Sequence, residues 1–422
     1  MRLNRRYIGP VLAAALAASA IGCIGGESPG PSDPSNPTNP TDPTNPTNPT
    51  DPTDPTNPTN PTNPTNPTQP TQPTLSEWER NLAARNTDYG SAMRTAALKL
   101  VGTLPTLAEI KDLNAATDKK AAYEAQIDKY LADARFAAQI QAFWRDTMKQ
   151  GGTINNVNYD TAPNFAAQLT VEDRNLTELF TATTNSCPTF NAQTGAFTAA
   201  SCTQASPSKA GVLTDPSVLR QQFSNMGFRR VRWVQETFVC TKYPAEVVAP
   251  QDVGGAAKYT APWPFTSISG TANMGRVDFR DTQAVVCANC HATMNHQTPL
   301  FINFDMNGAY QNTPQVRLPT AGTPVVTLLD YLPAGEPLSW RKDKPTPDLA
   351  SFGAAMAADP DVAECFVARG WNFAFGKNDI VNSLALVPHE VIATQVAAFT
   401  AGGFKMKTLL KQIFTSDDFT KF

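Results

Sequence analysis

KAAYEAQIDKYLADARFAAQIQAFWRDTM, residues 120–148, decides the fold class of this 422-residue chain. Tyr123, Ile127, Tyr130 and Leu131 recur at steps of three and four residues, and Phe136, Ile140, Phe143 and Trp144 repeat the pattern. A helix brings residues three and four apart onto one face, so each set forms an apolar stripe. Aromatic stripes at this spacing belong to a core rather than to a cofactor box. Toward the N-terminus, Leu107–Leu113 and Ser91–Val101 carry the same mixture of Ala, Leu and charged residues, separated by the breaker Gly102-Thr103-Leu104-Pro105-Thr106. Ser76 followed by Glu79 is a capping box that opens the first helix. The reading is a mostly α body.

Toward the C-terminus the same reading continues with interruptions. Gly151–Pro163 is polar and Gly/Asn-rich, hence a loop, and Val171–Phe180 is helical again. Cys187 and Cys202 bracket an excursion without apolar periodicity. Asp215-Pro216 starts a helix carrying Val218, Leu219, Phe223 and Met226, and a second runs from Phe228 to Cys240. Pro244–Phe279 and Asn312–Pro347 are long irregular stretches, and two closing helices cover Leu349–Phe375 and Pro388–Phe414. The expected organisation is an N-terminal helical domain at 75–245, an attachment segment at 246–348, and a C-terminal helical segment at 349–422 that packs on it.

Ahead of this body lies a different kind of sequence. Met1-Arg2-Leu3-Asn4-Arg5-Arg6 precedes an apolar run from Val11 to Ile21, and a basic start with a short apolar core describes a secretory signal peptide, residues 1–22. Ala20-Ile21-Gly22-Cys23 resembles the lipobox of bacterial lipoproteins, with Ala20 where Leu is usual. That resemblance implies a lipidated Cys23. From Pro31 to Thr74 the chain is almost entirely Asn-Pro-Thr, Asp-Pro-Thr and Gln-Pro-Thr triplets. Proline at every third position blocks helix and sheet alike, so residues 23–74 are expected to form a disordered tether. Extended at roughly 3.1 Å per residue, the Pro-rich part reaches on the order of 140 Å. Nothing after the leader is long and apolar enough to span a bilayer.

Charge narrows the partners. Without residues 1–22 the chain has 31 basic and 37 acidic groups, and five of those acids (Glu27, Asp33, Asp42, Asp51, Asp54) lie in the tether. The body is then near −1, a poor polyelectrolyte partner, which argues against nucleic acid.

Cys287-Ala288-Asn289-Cys290-His291 carries the chemistry. Two thiols three apart followed at once by His form the attachment signature of one c-type haem: each sulfur adds to a vinyl group and His291 meets the iron. A bare Cys-x-x-Cys suits zinc or a redox dithiol, but the adjoining His and the export signal favour haem. The competing reading is a plain disulfide beside a His. Met294 and His296 follow too closely to reach the far face of the ring, so the distal ligand falls among Met356, His389, Met306, Met274 and Met406, or the position is open. Arg229 and Arg230, with Arg232 beside Trp233, are candidates to clamp haem propionates, or else a solvated helix face with internal ion pairs.

Several blocks together resemble families of secreted bacterial proteins of unknown function that occur with planctomycete-type cytochrome c domains. They are Lys99–Ile110, Tyr123–Met148, DRNLTELFTA (173–182), GVLTDPSVL (211–219), RRVRWVQETFVC (229–240), CANCHATMNHQTPLFINFDMNGAY (287–310), CFVARGWNFAFGK (365–377) and LLKQIFTSDDF (409–419). Met294 matches the family's Met after the haem His, whereas Asn295-His296 stand where Asp-Pro is usual. The resemblance implies a helical cytochrome-like protein of the cell envelope, with the outer membrane favoured for the anchor, and brings no substrate.

With Cys23 lipidated and Cys287 and Cys290 on haem, four cysteines are left and allow three pairings. The expected pairs are Cys187 with Cys202, closing the excursion, and Cys240 with Cys365, joining the helix before the attachment segment to the helix after it. Three functions compete: an electron-transfer lipoprotein that meets a redox partner protein, a haem-dependent redox enzyme with an open iron site, and a haem-free surface or adhesion module stapled by disulfides. A dihaem peroxidase would need a second attachment motif, and the sequence has one.

Overall fold

Helix starts in this protein follow local chemistry closely. The computed structural model describes residues 76–203, 206–223, 227–243, 271–273, 276–278, 288–315, 336–341, 344–377 and 385–422. The expected signal peptide, Cys23, the tether, Met274, Cys287 and most of 244–279 lie outside the described residues. Contacts divide the chain between Thr74 and Leu75, and Leu75–Phe422 forms one compact unit.

The first helices are α1 (Glu77–Ala83), α2 (Tyr89–Leu100), α3 (Leu107–Ala115), α4 (Lys119–Ala132) and α5 (Ala134–Met148). Ser76 accepts from Glu79 N at the head of α1 while Glu79 reaches back to Ser76 N, the reciprocal pair expected. Thr106 and Glu109 repeat the arrangement at α3. The stretch 120–148 is two helices, because Asp133 leaves helical geometry and caps α5 through Arg135 N. Both stripes face the core as expected, with Tyr123, Ile127, Phe136, Ile140 and Trp144 at 0 % exposure and Phe143 half-buried against it.

A hairpin, β1 (Thr153–Ile154) with β2 (Val157–Asn158), occupies the expected loop, and α6 (Thr161–Val171) follows. This helix starts ten residues before the helix expected at Val171–Phe180. Pro163 sits in the first turn, where its missing N–H costs nothing, and Asp173 takes a left-handed backbone (φ 52°) that ends the helix region before α7 (Glu178–Thr181). Helix α5 packs along α6 through Gln141 Nε2 to Asn164 Oδ1 (2.8 Å) and Trp144 Nε1 to Thr170 Oγ1 (3.0 Å).

The excursion between Cys187 and Cys202 is a second hairpin, β3 (Thr189–Asn191) with β4 (Ala196–Thr198), whose Phe190 and Phe197 rings meet across the strands at 4.8 Å. Beyond it come α8 (Pro216–Gln221), α9 (Phe228–Phe238), the hairpin β5 (Thr271–Asn273) with β6 (Arg276–Asp278), α10 (Ala288–Gln297), and β7 (Ser339–Arg341) paired with β8 (Lys344–Pro345).

Each expected closing helix is divided. Asp359-Pro360 separates α11 (Leu349–Ala357) from α12 (Pro360–Phe375), since Pro at the first helical position starts a helix but cannot continue one. Gly402 and Gly403 (φ 80°) separate α13 (His389–Ala401) from α14 (Met406–Thr415), and α15 (Asp417–Thr420) ends the fold. Phe366 on α12 lies at the centre of the core: its ring meets Trp144 of α5, Phe180 of α7, Phe238 of α9 and Phe399 of α13. The segments expected as separate parts thus share one core. The C-terminus closes on the start of the body, with Asn86 and Phe422 exchanging backbone hydrogen bonds at 3.2 and 2.9 Å.

Both expected disulfides are formed, Cys187–Cys202 and Cys240–Cys365, with Cα separations of 5.1 and 5.5 Å. Among the described residues no helix is long and apolar enough to cross a membrane.

Candidate functional site

The candidate centre is organised by α10. Cys290 and His291 are consecutive residues in its first half, following Ala288 and Asn289, and Cys287 immediately precedes the helix in sequence. From Thr293 to Pro299 every residue is buried, so the second half of α10 and the turn after it run through the interior and not along a surface. Helix α10 packs on α9 and β7.

Polar side chains fix this buried half. Gln297 donates from Nε2 to the Trp340 carbonyl (2.9 Å) and accepts from the Tyr243 hydroxyl (3.2 Å). Thr298 Oγ1 donates back to the Met294 carbonyl at 2.8 Å, which secures the helix end. His296 is buried, and its Nε2 pairs with the Glu336 carboxylate. Each bond gives a buried polar group a partner, as a dry environment requires.

Arg230 secures the segment that follows. It lies on α9 at 1 % exposure, and all three of its nitrogens donate to main-chain carbonyls. Nε and Nη2 reach Leu219 (3.2 and 2.8 Å), Nη1 reaches Phe301 (2.6 Å) and Phe304 (3.1 Å), and Nη2 also reaches Asp305 (3.3 Å). Burial pushes the guanidinium down to about 10, with the Asp305 carboxylate opposing that shift. This corrects the expectation for Arg230. Its donors hold the turn after α10, so they are not available to clamp a propionate. Arg229, the next residue, is exposed.

The distal-ligand candidates are scattered. Met306 is exposed at 65 %, on the turn beside Asp305. Met356 and Met406 are fully buried in α11 and α14. Met356 lies one turn beyond Phe352, whose ring meets those of Phe301 and Trp340, so it shares the face of α11 turned to the end of α10. His389 opens α13 at the surface, and its Nδ1 lies 2.9 Å from Glu364. The residue before it, Pro388, lines a cavity of about 530 Å3 together with Leu386, Asp361, Glu364 and the Cys240–Cys365 bridge.

Three features were not anticipated. One is the His296–Glu336 pair, which spans 40 residues of sequence. Another is a buried network in which Asp359 Oδ2 accepts from Trp340 Nε1 (2.6 Å) and Arg341 Nε (3.0 Å). The third is Asp215, read from sequence only as a helix start. It is fully buried, and its Oδ2 lies 3.5 Å from Cys187 Sγ. Asp-Pro was the one signal available for it, and that signal reports the cap rather than the contact.

Residues 76–168 match the family model described as "PSCyt2: Protein of unknown function (DUF1549)". That match covers α1 to α5 and most of α6, and stops before the attachment motif. No curated protein and no solved structure matches the chain.

Proposed function

We propose that the protein is a cell-envelope lipoprotein that carries one covalent c-type haem on Cys287, Cys290 and His291 and transfers electrons to or from a redox partner protein. The observation that carries this reading is the cysteine pairing. Cys187, Cys202, Cys240 and Cys365 are joined to one another in two bridges, which leaves the two motif thiols as the body's pair beside a histidine. The donor set suits attachment, with two thiols for the vinyl groups and an imidazole for the iron. When bound, the haem supplies a one-electron couple.

The chain's own residues supply the mounting. Arg230, Gln297, Thr298 and Tyr243 fix the second half of α10 and the turn beyond it, and Cys290 and His291 lie on the same short helix. A rigid support reduces rearrangement around a redox group, which suits an electron carrier. Cys23, by its likeness to a lipobox, anchors the body through the Pro-rich tether, with the outer membrane favoured. The partial match to a family whose printed label contains "Cyt" agrees with the cytochrome reading but names no activity.

A pyridine haemochrome spectrum tests the proposal, recorded on protein matured in a host with cytochrome c assembly machinery. The expected result is a c-type spectrum that is lost in Cys287→Ala/Cys290→Ala. Folded, exported protein without haem would overturn it and leave a disulfide-stapled surface lipoprotein.

A further inference from the structure

The Cys187–Cys202 bridge sits between a cleft and a buried acid. Both cysteines are partly exposed, whereas Asp215 is fully buried against Cys187. Asp215 Oδ1 caps α8, accepting from Ser217 N (2.7 Å), Ser217 Oγ (2.6 Å) and Val218 N (3.2 Å). Its Oδ2 is the oxygen that faces Cys187 Sγ. A disulfide sulfur has no proton to donate, so any proton in that contact belongs to the carboxyl. Burial pushes the Asp215 carboxyl up, against the opposing pull of Ser217, Thr161 and Val218, which favours the protonated form. The other sulfur is differently placed. Cys202 lines a small cleft with Ser186, Ser201 and Lys209, where an ammonium group favours an approaching thiolate.

The second bridge also lines a cavity, but differs in what its sulfurs touch. Cys240 and Cys365 are buried, and their sulfurs lie against the main-chain carbonyls of Cys365 and Thr237, which have no proton to give.

We propose that Cys187–Cys202 is a thiol–disulfide exchange site, in which a dithiol attacks Cys202 Sγ and Asp215 protonates the departing Cys187 sulfur. In the first step one thiolate of the dithiol bonds to Cys202 Sγ and the Cys187–Cys202 bond breaks. Cys187 leaves as a thiol with the Asp215 proton, and Asp215 becomes a carboxylate. In the second step the remaining thiol of the reductant attacks its own sulfur on Cys202, closing a ring disulfide and giving its proton to the Cys202 sulfur. The dithiol loses two electrons, the bridge gains them, and solvent reprotonates Asp215. Leaving-group protonation is the gain, because a thiol departs more readily than a thiolate held against a buried carboxylate. The site is independent of the haem reading.

The test is the rate of reduction of each bridge in the full-length folded protein by dithiothreitol. Trapped thiols are assigned by mass spectrometry across pH, and rates are expressed per dithiothreitol thiolate. The expected result is a Cys187–Cys202 rate that falls about tenfold or more as pH rises through the Asp215 titration, with Asp215→Asn held at the low rate throughout. Asn is itself a good helix cap, so α8 is retained. If that variant does not fold, the wild-type pH profile decides alone. A flat profile, a fall that persists in Asp215→Asn, or a bridge that withstands dithiothreitol in the folded protein overturns the proposal.

Discussion

Arg230 Nη1 donates to the carbonyl of Phe301 at 2.6 Å, joining α9 to the turn that follows the motif helix across 71 residues of sequence. The same side chain takes the carbonyls of Leu219 and Phe304 in buried contacts and that of Asp305 in a partly buried one. Arg230→Ala should therefore lower stability by about 3–5 kcal/mol, since it strands several buried acceptors at once. Arg230→Lys should recover little of the loss, because an ammonium cannot reproduce the planar fork. Urea unfolding measures both. A change within 1 kcal/mol for Arg230→Ala, together with impaired haem retention, would restore the propionate-clamp reading.

The two bridges close loops of very different length, 15 and 125 residues apart in sequence. Loop-closure entropy then predicts a loss of about 3 kcal/mol when Cys187 and Cys202 are both replaced by Ala, and about 5 kcal/mol for Cys240 and Cys365. The second pair also lies in the core against α9 and α12, where truncation adds a packing loss. Paired urea melts at one pH check the ranking. Equal losses would mean that the unfolded chain already holds Cys240 near Cys365.

What the sequence made legible was local. The apolar stripes at 123–144, the capping box at Ser76 and Glu79 and the Asp215-Pro216 helix start all act over a few residues, and all are found. Misplaced boundaries arose where two local signals competed. Asp133 and Asp359-Pro360 each divide a stripe that periodicity alone would continue, and the start of the helix Thr161–Val171 falls inside the polar, Gly/Asn-rich stretch 151–163 that reads as a loop, with Pro163 in the first turn. Elimination left four cysteines and three pairings, and the expected one of the three is found. The roles of Arg230, Asp215 and Asp359 were not legible, because each depends on partners that only the tertiary fold brings close. A guanidinium beside carboxylate-seeking chemistry and one buried under carbonyls look the same in a sequence.

His389 and Met356 offer a contrast among the candidate ligands. His389 is exposed and paired with Glu364, an arrangement of small energetic weight, so His389→Ala should change stability by no more than about 1 kcal/mol. Met356 is fully buried on the Phe352 face of α11, and Met356→Ala should cost about 2–5 kcal/mol through the cavity it leaves. In haem-loaded protein the visible spectrum should be unchanged by His389→Ala. A spectral shift in that variant, with stability intact, would assign the imidazole to the iron.

Asp215 gives the fold a pH dependence of unusual sign for a carboxylate. Burial raises its folded-state pKa above 3.8, against the opposing hydrogen bonds of Ser217 and Thr161. Between the unfolded and folded values the native state therefore binds the extra proton, so the Asp215 contribution is fully present below 3.8 and is lost as pH rises through the folded pKa. Most carboxylates held in hydrogen bonds act oppositely, Asp88 among them, so the effect has to be read as a difference between proteins. Asp215→Asn cannot ionise and keeps the cap on α8. Wild-type stability minus Asp215→Asn stability should thus fall with rising pH from just below 4 and level off above the folded pKa, measured by urea unfolding at each pH. A difference that rises across that interval would mean that the carboxylate form is the one the folded protein prefers, and that Ser217, Thr161 and Val218 outweigh burial at this position.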